Sequence, residues 1–287
     1  MSANGIFGSS AAVLGHRGCG RGTVEGHLEN SLGSFLAAAQ MGLRWLEVDV
    51  RRTSDDVLIV THNPAREDGA FYADLTGAQA TQGGVLRLDT LLEALPAGIG
   101  VDFDVKSSME DASRHRAQTT MGLLAPVIRQ EGRHRQVLVT SFDAAALGIV
   151  RELVPGAPRG LLTWVEFPVG HAVAFAAHLD VDVLALHGGS LKPNRVEPEH
   201  LQRPLPKIVD AVHASGMELM AWCPGSTFAR ELISAGVDAL CVNNVPKILD
   251  ALQPAGAPRR LTGRLTGTGP RATPPGSRTP YPRPAAG

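Results

Sequence analysis

Two acidic pairs stand at i, i+2 spacing inside short runs of otherwise β-forming residues: Glu47 and Asp49 in WLEVDV, and Asp102 and Asp104, followed by Lys106, in VDFDVK. Side chains of an extended chain alternate between faces, so each pair shares one face while Leu46, Val48 and Val50, or Val101, Phe103 and Val105, take the other. Adjacent strands run about 4.8 Å apart, so acids from two such strands can converge on one point. A set of carboxylate oxygens without His or Cys at matching spacing suits a hard divalent cation, Mg²⁺ or Ca²⁺ before Zn²⁺. The bland reading has Arg51, Arg52 or Lys106 neutralise the acids through ordinary ion pairs, and the doubled pattern counts against it.

Two further motifs join them. GHRG places His16 and Arg17 after an early apolar run, and THN places His62 after another. Arginine offers a planar fork suited to a phosphate oxygen. Two histidines flanking an anion allow one to take a proton from a nucleophile while the other protonates a leaving oxygen. His27, His115, His134, His171, His178, His200 and His213 fall in expected loops or helices and carry no such pattern.

The elements that must position these groups follow from periodicity. Strands are predicted at 13–16, 45–50, 57–61, 100–106, 136–141, 160–164, 183–187, 218–222 and 239–243, with helical stretches between most of them. SLGSFLAAAQMG is one such helix, with Ser31 as its N-cap and Gly42 as its stop. Eight β-then-α units in about 240 residues is the count of a (β/α)₈ TIM-type barrel, and an open doubly wound sheet is the alternative. The run 57–61 follows 45–50 too closely for a helix and reads as an extra hairpin strand after strand 2. In a barrel every polar residue at a strand end opens on the same face, where sites of this fold sit.

Composition excludes other classes. Of 287 residues 44% are hydrophobic and 19% charged, and the net charge is −1, so nothing global points to nucleic acid. Cys19, Cys223 and Cys241 are an odd set without metal-finger spacing and fit a reduced compartment. No basic leader or sustained apolar span occurs, so a cytoplasmic protein without stable membrane insertion is expected. The chain divides into a flexible N-terminus (1–12), the barrel (13–252) and a Pro/Gly/Arg-rich tail (253–287). From Pro254 onward there are six Arg, eight Pro and no Asp or Glu, against −7 for the rest. Such a tail buries too little apolar surface to offset its ordering entropy and is expected to be disordered.

GHRG, then ENSLGSFLAAAQMGLRWLEVDVRRTSDDVLIVTHN, resembles the glycerophosphodiester phosphodiesterase family, with its HRG, ENT, E-x-D, T-x-D and HD motifs in this order. The likeness continues through LDTLLEALPAGIGVDFDVK, VTSFD, MAW and GVDALCVNNVP, covering about residues 13–250. It implies a TIM-like barrel, one divalent ion and hydrolysis of a glycerophosphodiester to glycerol 3-phosphate and an alcohol. Carried over by position, it implies Glu47, Asp49 and Asp104 as metal ligands, His16 and His62 as the acid–base pair, and Arg17 and Lys106 as phosphate contacts. Trp222 would wall the substrate, and Glu29, Asp102 and Asn243 would stand behind these groups. The sequence departs from the family where E-x-K reads Asp104-Val105-Lys106, HD reads His62-Asn63, ENT ends in Ser31 and the acid of the last strand is Asn243. The insertion after HD is short, which implies a less covered pocket. Rival readings are a lyase or lysophospholipase D-like enzyme forming a cyclic phosphate, and a non-catalytic barrel that binds head groups.

If the tail is dispensable, a chain ending at Gln253 keeps its thermal midpoint and catalytic constants within error. A large fall in melting temperature would contradict this.

Overall fold

In the computed structural model the described residues are 5–192, 200 and 202–253. The tail expected to be disordered, beyond Gln253, lies outside them. In chain order the elements are β1 (Ala12–His16), β2 (Thr23–Val24), β3 (His27–Leu28), α1 (Leu32–Gln40), β4 (Trp45–Arg52), β5 (Leu58–Val60), α2 (Gly77–Gln82), β6 (Leu86–Arg87) and α3 (Leu88–Ala94). Then come β7 (Gly100–Val105), α4 (Thr120–Glu131), β8 (Val137–Ser141), α5 (Ala144–Leu153), β9 (Arg159–Leu162), α6 (Val169–His178) and β10 (Val183–His187). The last are α7 (Leu205–Ala214), β11 (Glu218–Trp222), α8 (Ser226–Ser234), β12 (Ala239–Val242) and α9 (Val245–Leu252).

Strands β1, β4, β7, β8, β9, β10, β11 and β12 pair in parallel, and β1 pairs with both β4 and β12. The sheet therefore closes, which decides for the barrel over the open sheet. β4 overshoots the rim, where its last residues pair antiparallel with β5 (Val50 opposite Val60). This is the expected hairpin strand, and β6 extends it on the far side. Ser31 caps α1 by accepting the Ser34 N–H at 3.2 Å, and Gly42 follows in the left-handed region.

Period-two alternation sorts the barrel strands into two cores. Leu46, Val48, Val50, Val101, Phe103 and Val105 face the helices. Trp45, Leu14, Leu138, Leu162, Met220 and Cys241 fill the lower interior. The β4–β7 register sets Trp45 beside Gly100, Glu47 beside Asp102 and Asp49 beside Asp104. Gly100 is required because the Trp45 indole occupies its interior space: a Cβ there would lie 2.7 Å from the ring. Above the apolar floor the same positions present acids, so the interior turns polar on reaching the C-terminal rim.

Within the segment expected to be a flexible N-terminus, Ile6 and Phe7 dock on the opposite rim. The Ile6 and Phe7 N–H groups donate to the Glu218 carboxylate at 2.6 and 3.2 Å, and the buried Phe7 ring meets Trp45 edge-on at 5.5 Å. Phe7 thus stoppers the base of the barrel. Phe7→Ala is expected to cost about 2–4 kcal/mol in chemical denaturation while leaving turnover unchanged. Unaltered stability would show that the stopper does not hold the base.

Candidate active site

The strand-borne polar side chains of the site stand on interior positions above the apolar floor, and the others follow the strand ends at the same rim. His16 ends β1 opposite Glu47. Arg17 follows with φ 58° and Gly18 with φ 94°, so the chain reverses sharply at the rim. A Cβ on Gly18 would meet Ser34 Oγ at 2.5 Å, which explains the glycine of GHRG. The turn aims the Arg17 N–H at Glu47 Oε2 (2.9 Å) and its guanidinium at Glu29 Oε1 (2.7 Å) and Asp49 Oδ2 (3.2 Å).

Glu47, Asp49 and Asp104 come together, with one oxygen of each lying within 4.8 Å of the others. All three are buried. Glu47 Oε1, Asp49 Oδ1 and Asp104 Oδ1 have no hydrogen-bond partner. Lys106 Nζ ion-pairs with Asp104 and lies 3.0 Å from Asp49 Oδ1, outside hydrogen-bonding direction. Burial, with Asp49 and Asp104 alongside, pushes the Glu47 carboxyl well above the usual range, and burial raises Asp104 also. Burial alone would raise Asp49 too, but Lys106 and Arg17 outweigh it and hold that carboxyl below the usual range. Buried carboxylate oxygens without donors, clustered around one point, fit a hard divalent cation, and these three residues could hold one.

Of the three alternative neutralisers Lys106 is at the trio, and the other two are engaged elsewhere. Arg52 pairs with Asp111 at 2.7 Å, and Arg51 donates to the His62 carbonyl at 3.0 and 2.8 Å. That bond and the Thr61 N–H to Asp49 O (3.1 Å) fix the hairpin end, and hence His62, beside the acids. Asp102 lies lower in the barrel, takes the Thr140 hydroxyl at 2.8 Å and stays outside the trio. Glu29 also stays outside, serving Arg17 and the Gly22 N–H.

Asn243 sits against His16: its Oδ1 lies 2.5 Å from His16 Nδ1 and 3.2 Å from Cys223 Sγ. Burial pushes the Cys223 thiol up to about 11, so S–H and imidazole N–H both donate to this one oxygen. His16 is thereby fixed with hydrogen on Nδ1, leaving Nε2 bare on the side of Glu47, whose Oε2 is 3.9 Å away. Burial and then the Arg17 charge lower His16 to about 4, and burial lowers His62. Trp222 packs edge-on against His187 at 4.4 Å and Phe142 at 5.7 Å.

Two contributors escape sequence reasoning. Asn30 donates to Asp49 Oδ2 at 2.9 Å from a left-handed backbone (φ 56°), which an Asn before the Ser31 cap could have signalled. Cys223 also has positive φ, 53°, and nothing in its sequence context marks it as a support for Asn243. The short insertion after His62 forms α2 and β6 and flanks a cleft of about 720 Å³ lined by Arg21, Glu29, His62 and Tyr72.

Comparison with known proteins agrees with this architecture. Residues 16–247 match the model of the Glycerophosphoryl diester phosphodiesterase family. The chain is 27% identical over 242 residues to the probable glycerophosphodiester phosphodiesterase 2 of Mycobacterium tuberculosis, covering 78% of this chain and 84% of the relative. In fold it is similar to a glycerophosphodiester phosphodiesterase of Thermotoga maritima (TM-score 0.64, 19% identity, 85% of this chain and 99% of the other). A phosphodiesterase of Oleispira antarctica, solved with the product sn-glycerol-3-phosphate, is also similar (TM-score 0.63, 21% identity, 84% and 96%). With a family match running from the catalytic-rim histidine to the last helix over a closed barrel, the chain belongs to the glycerophosphoryl diester phosphodiesterase family and is a phosphoric diester hydrolase.

Proposed function

We propose that the protein hydrolyses a glycerophosphodiester to glycerol 3-phosphate and an alcohol, using His16 and His62 as its acid–base pair and one Mg²⁺ or Ca²⁺ held by Glu47, Asp49 and Asp104. The observation that carries the reading is His16: its Nδ1 is tied to Asn243, and its bare Nε2 is turned towards the acidic trio. The product held by the Oleispira antarctica phosphodiesterase supports glycerol 3-phosphate as the common half.

The bare Nε2 makes His16 the base. It takes the proton of the glycerol hydroxyl beside the phosphoester, and the freed oxygen attacks phosphorus. His62, on the hairpin at the pocket edge, protonates the departing alcohol. Water then opens the cyclic phosphate with the roles reversed. Arg17 lies under this point and balances charge growing on the phosphoryl oxygens. Lys106, held by Asp49 and Asp104, would add its charge to that of Arg17 with the ion in place. The ion, when bound, supplies Lewis acidity towards the phosphoryl group. Among the described residues no helix is long and apolar enough to cross a membrane.

Phosphorus NMR of a glycerophosphodiester digest is expected to give glycerol 3-phosphate, and chelator is expected to abolish the reaction. Accumulation of a cyclic phosphate as end product would assign a lyase instead, and full turnover in chelator would remove the ion from the site.

The histidines are separated by leaving group. An alkoxide needs a proton in the transition state, so losing the acid costs roughly 10²- to 10⁴-fold. A p-nitrophenolate leaves unaided. On a p-nitrophenyl diester retaining the glycerol hydroxyl, His62→Ala is expected to recover most activity and His16→Ala to stay impaired. Equal losses on both substrates for both variants would overturn the pairing.

A further inference from the structure

The polar groups fill only one side of the barrel mouth. On the other side, Phe142 after β8, Trp164 after β9, His187 at the end of β10 and Trp222 at the end of β11 form a continuous aromatic wall. Phe142 stacks on Trp164 at 4.2 Å, meets Trp222 edge-on, and Trp222 meets His187 edge-on. The inner end of the wall touches the catalytic groups, because Lys106 Nζ stands 5.5 Å from the Phe142 centroid. Its outer end is bare: Trp164 is 64% exposed and Val165 beside it 53%. The wall therefore runs from the reaction centre to solvent without a break.

Aromatic surfaces serve either quaternary ammonium groups or apolar ones. Three observations decide between them. Lys106 already places a positive charge at the inner end of the wall. Burial lowers the His187 pKa and so favours the neutral ring at the wall. Asp143, next to Phe142, is turned away to cap α5 and accept the Ser107 hydroxyl. An apolar group suits this lining, and the exposed Glu166, two residues beyond Trp164, is the carboxylate that a cationic head group would have to reach. Of the six exposed large apolar side chains among the described residues, Trp164 and Val165 stand on the wall, while Leu28, Phe71 and Met109 stand in other connections that follow barrel strands.

We infer that the Phe142–Trp164–Trp222 wall is a subsite for an apolar substituent of the diester, an alkyl or acyl arm rather than a cationic head group, with Trp164 as its outer specificity residue. The inference rests on the proposed diesterase reading. Trp222 Nε1 is buried without an acceptor and can donate to an ester or hydroxyl oxygen where the polar head meets the arm. The arm can enter on either half of the substrate: as the alcohol that leaves, or as an acyl group on the glycerol.

The test compares kcat/KM along two soluble series, glycerophosphoethanol to glycerophosphohexanol and 1-acetyl to 1-hexanoyl glycerophosphoethanol. In one series kcat/KM is expected to rise about threefold per added methylene as the arm comes to lie on the wall. The series that responds identifies the half that carries the arm. Trp164→Ala is expected to cut the long-to-short ratio by about tenfold or more, mainly through KM. Phe175→Ala, an exposed aromatic on the outer face of α6, is expected to leave the ratio unchanged. Flat profiles in both series, or an unchanged ratio in Trp164→Ala, would overturn the subsite while leaving the diesterase reading intact. If no diester is cleaved, the functional reading falls by itself. Tryptophan-fluorescence titration with ethyl- and hexylphosphonate then decides the wall: tighter binding of the hexyl compound, lost in Trp164→Ala, upholds it, and equal affinities overturn it.

Discussion

Like-charged side chains placed side by side inside a low-dielectric wall are the condition that the rest of this structure answers. The β4–β7 register sets Glu47 against Asp102 and Asp49 against Asp104, four carboxyl groups on neighbouring interior positions. Three means of relief are visible. Asp102 takes a hydroxyl from Thr140, and burial pushes its carboxyl well above the usual range. Arg17 and Lys106 supply positive charge to Asp49. The remaining oxygens, without donors, stand ready for a divalent ion. Much of the surrounding chain follows from this arrangement: the left-handed turn at Arg17 and Gly18 delivers the guanidinium beneath the acids, Glu29 holds its outer edge, and the hairpin strand β5 brings His62 to the same point. Removing any one cation would leave a buried charge uncompensated, a costlier change than removing the whole set.

The barrel mouth thus has two halves with different physics. Over β1, β4 and β7 the environment is ionic and suited to a phosphodiester. Over β8 to β11 it is aromatic. Phe142 and Lys106 form the seam, where a polar head and an apolar arm of one substrate would part. The lower interior, stoppered by Phe7 and floored by Trp45, is packed with apolar side chains, and Glu218 holds the stopper through the Ile6 and Phe7 N–H groups.

Most of the fold was legible because alternation of period two does double duty in a closed barrel. It names the strands, and it also tells which residues face inward, so Glu47, Asp49, Asp104 and Lys106 could be grouped before any coordinates. What escaped depends on contacts far apart in sequence. Asn243 serves His16 across 227 residues, and Cys223 supports Asn243 through a side chain that local pattern reads as a small buried hydrophobe. The resemblance implies Lys106 as a phosphate contact, and its ties to Asp49 and Asp104 match the plainer reading in which it neutralises the acids. The docking of Phe7 was hidden for the same reason: its partners, Trp45 and Glu218, belong to strands 38 and more than 200 residues away. The two-residue strands β2, β3 and β6 are too short for any alternation to register.

The most direct measurement of the central constraint is thermal unfolding of metal-stripped protein as Mn²⁺ or Mg²⁺ is added, in the wild type and in Glu47→Gln. An ion bound to the folded trio and not to the unfolded chain adds about 2.7 kcal/mol at one hundred times its Kd. The wild type is therefore expected to gain several degrees in melting temperature with single-site saturation, and Glu47→Gln to gain little or nothing at the same concentrations. Equal gains in both proteins, or none in the wild type, would contradict a cation held by these carboxylates.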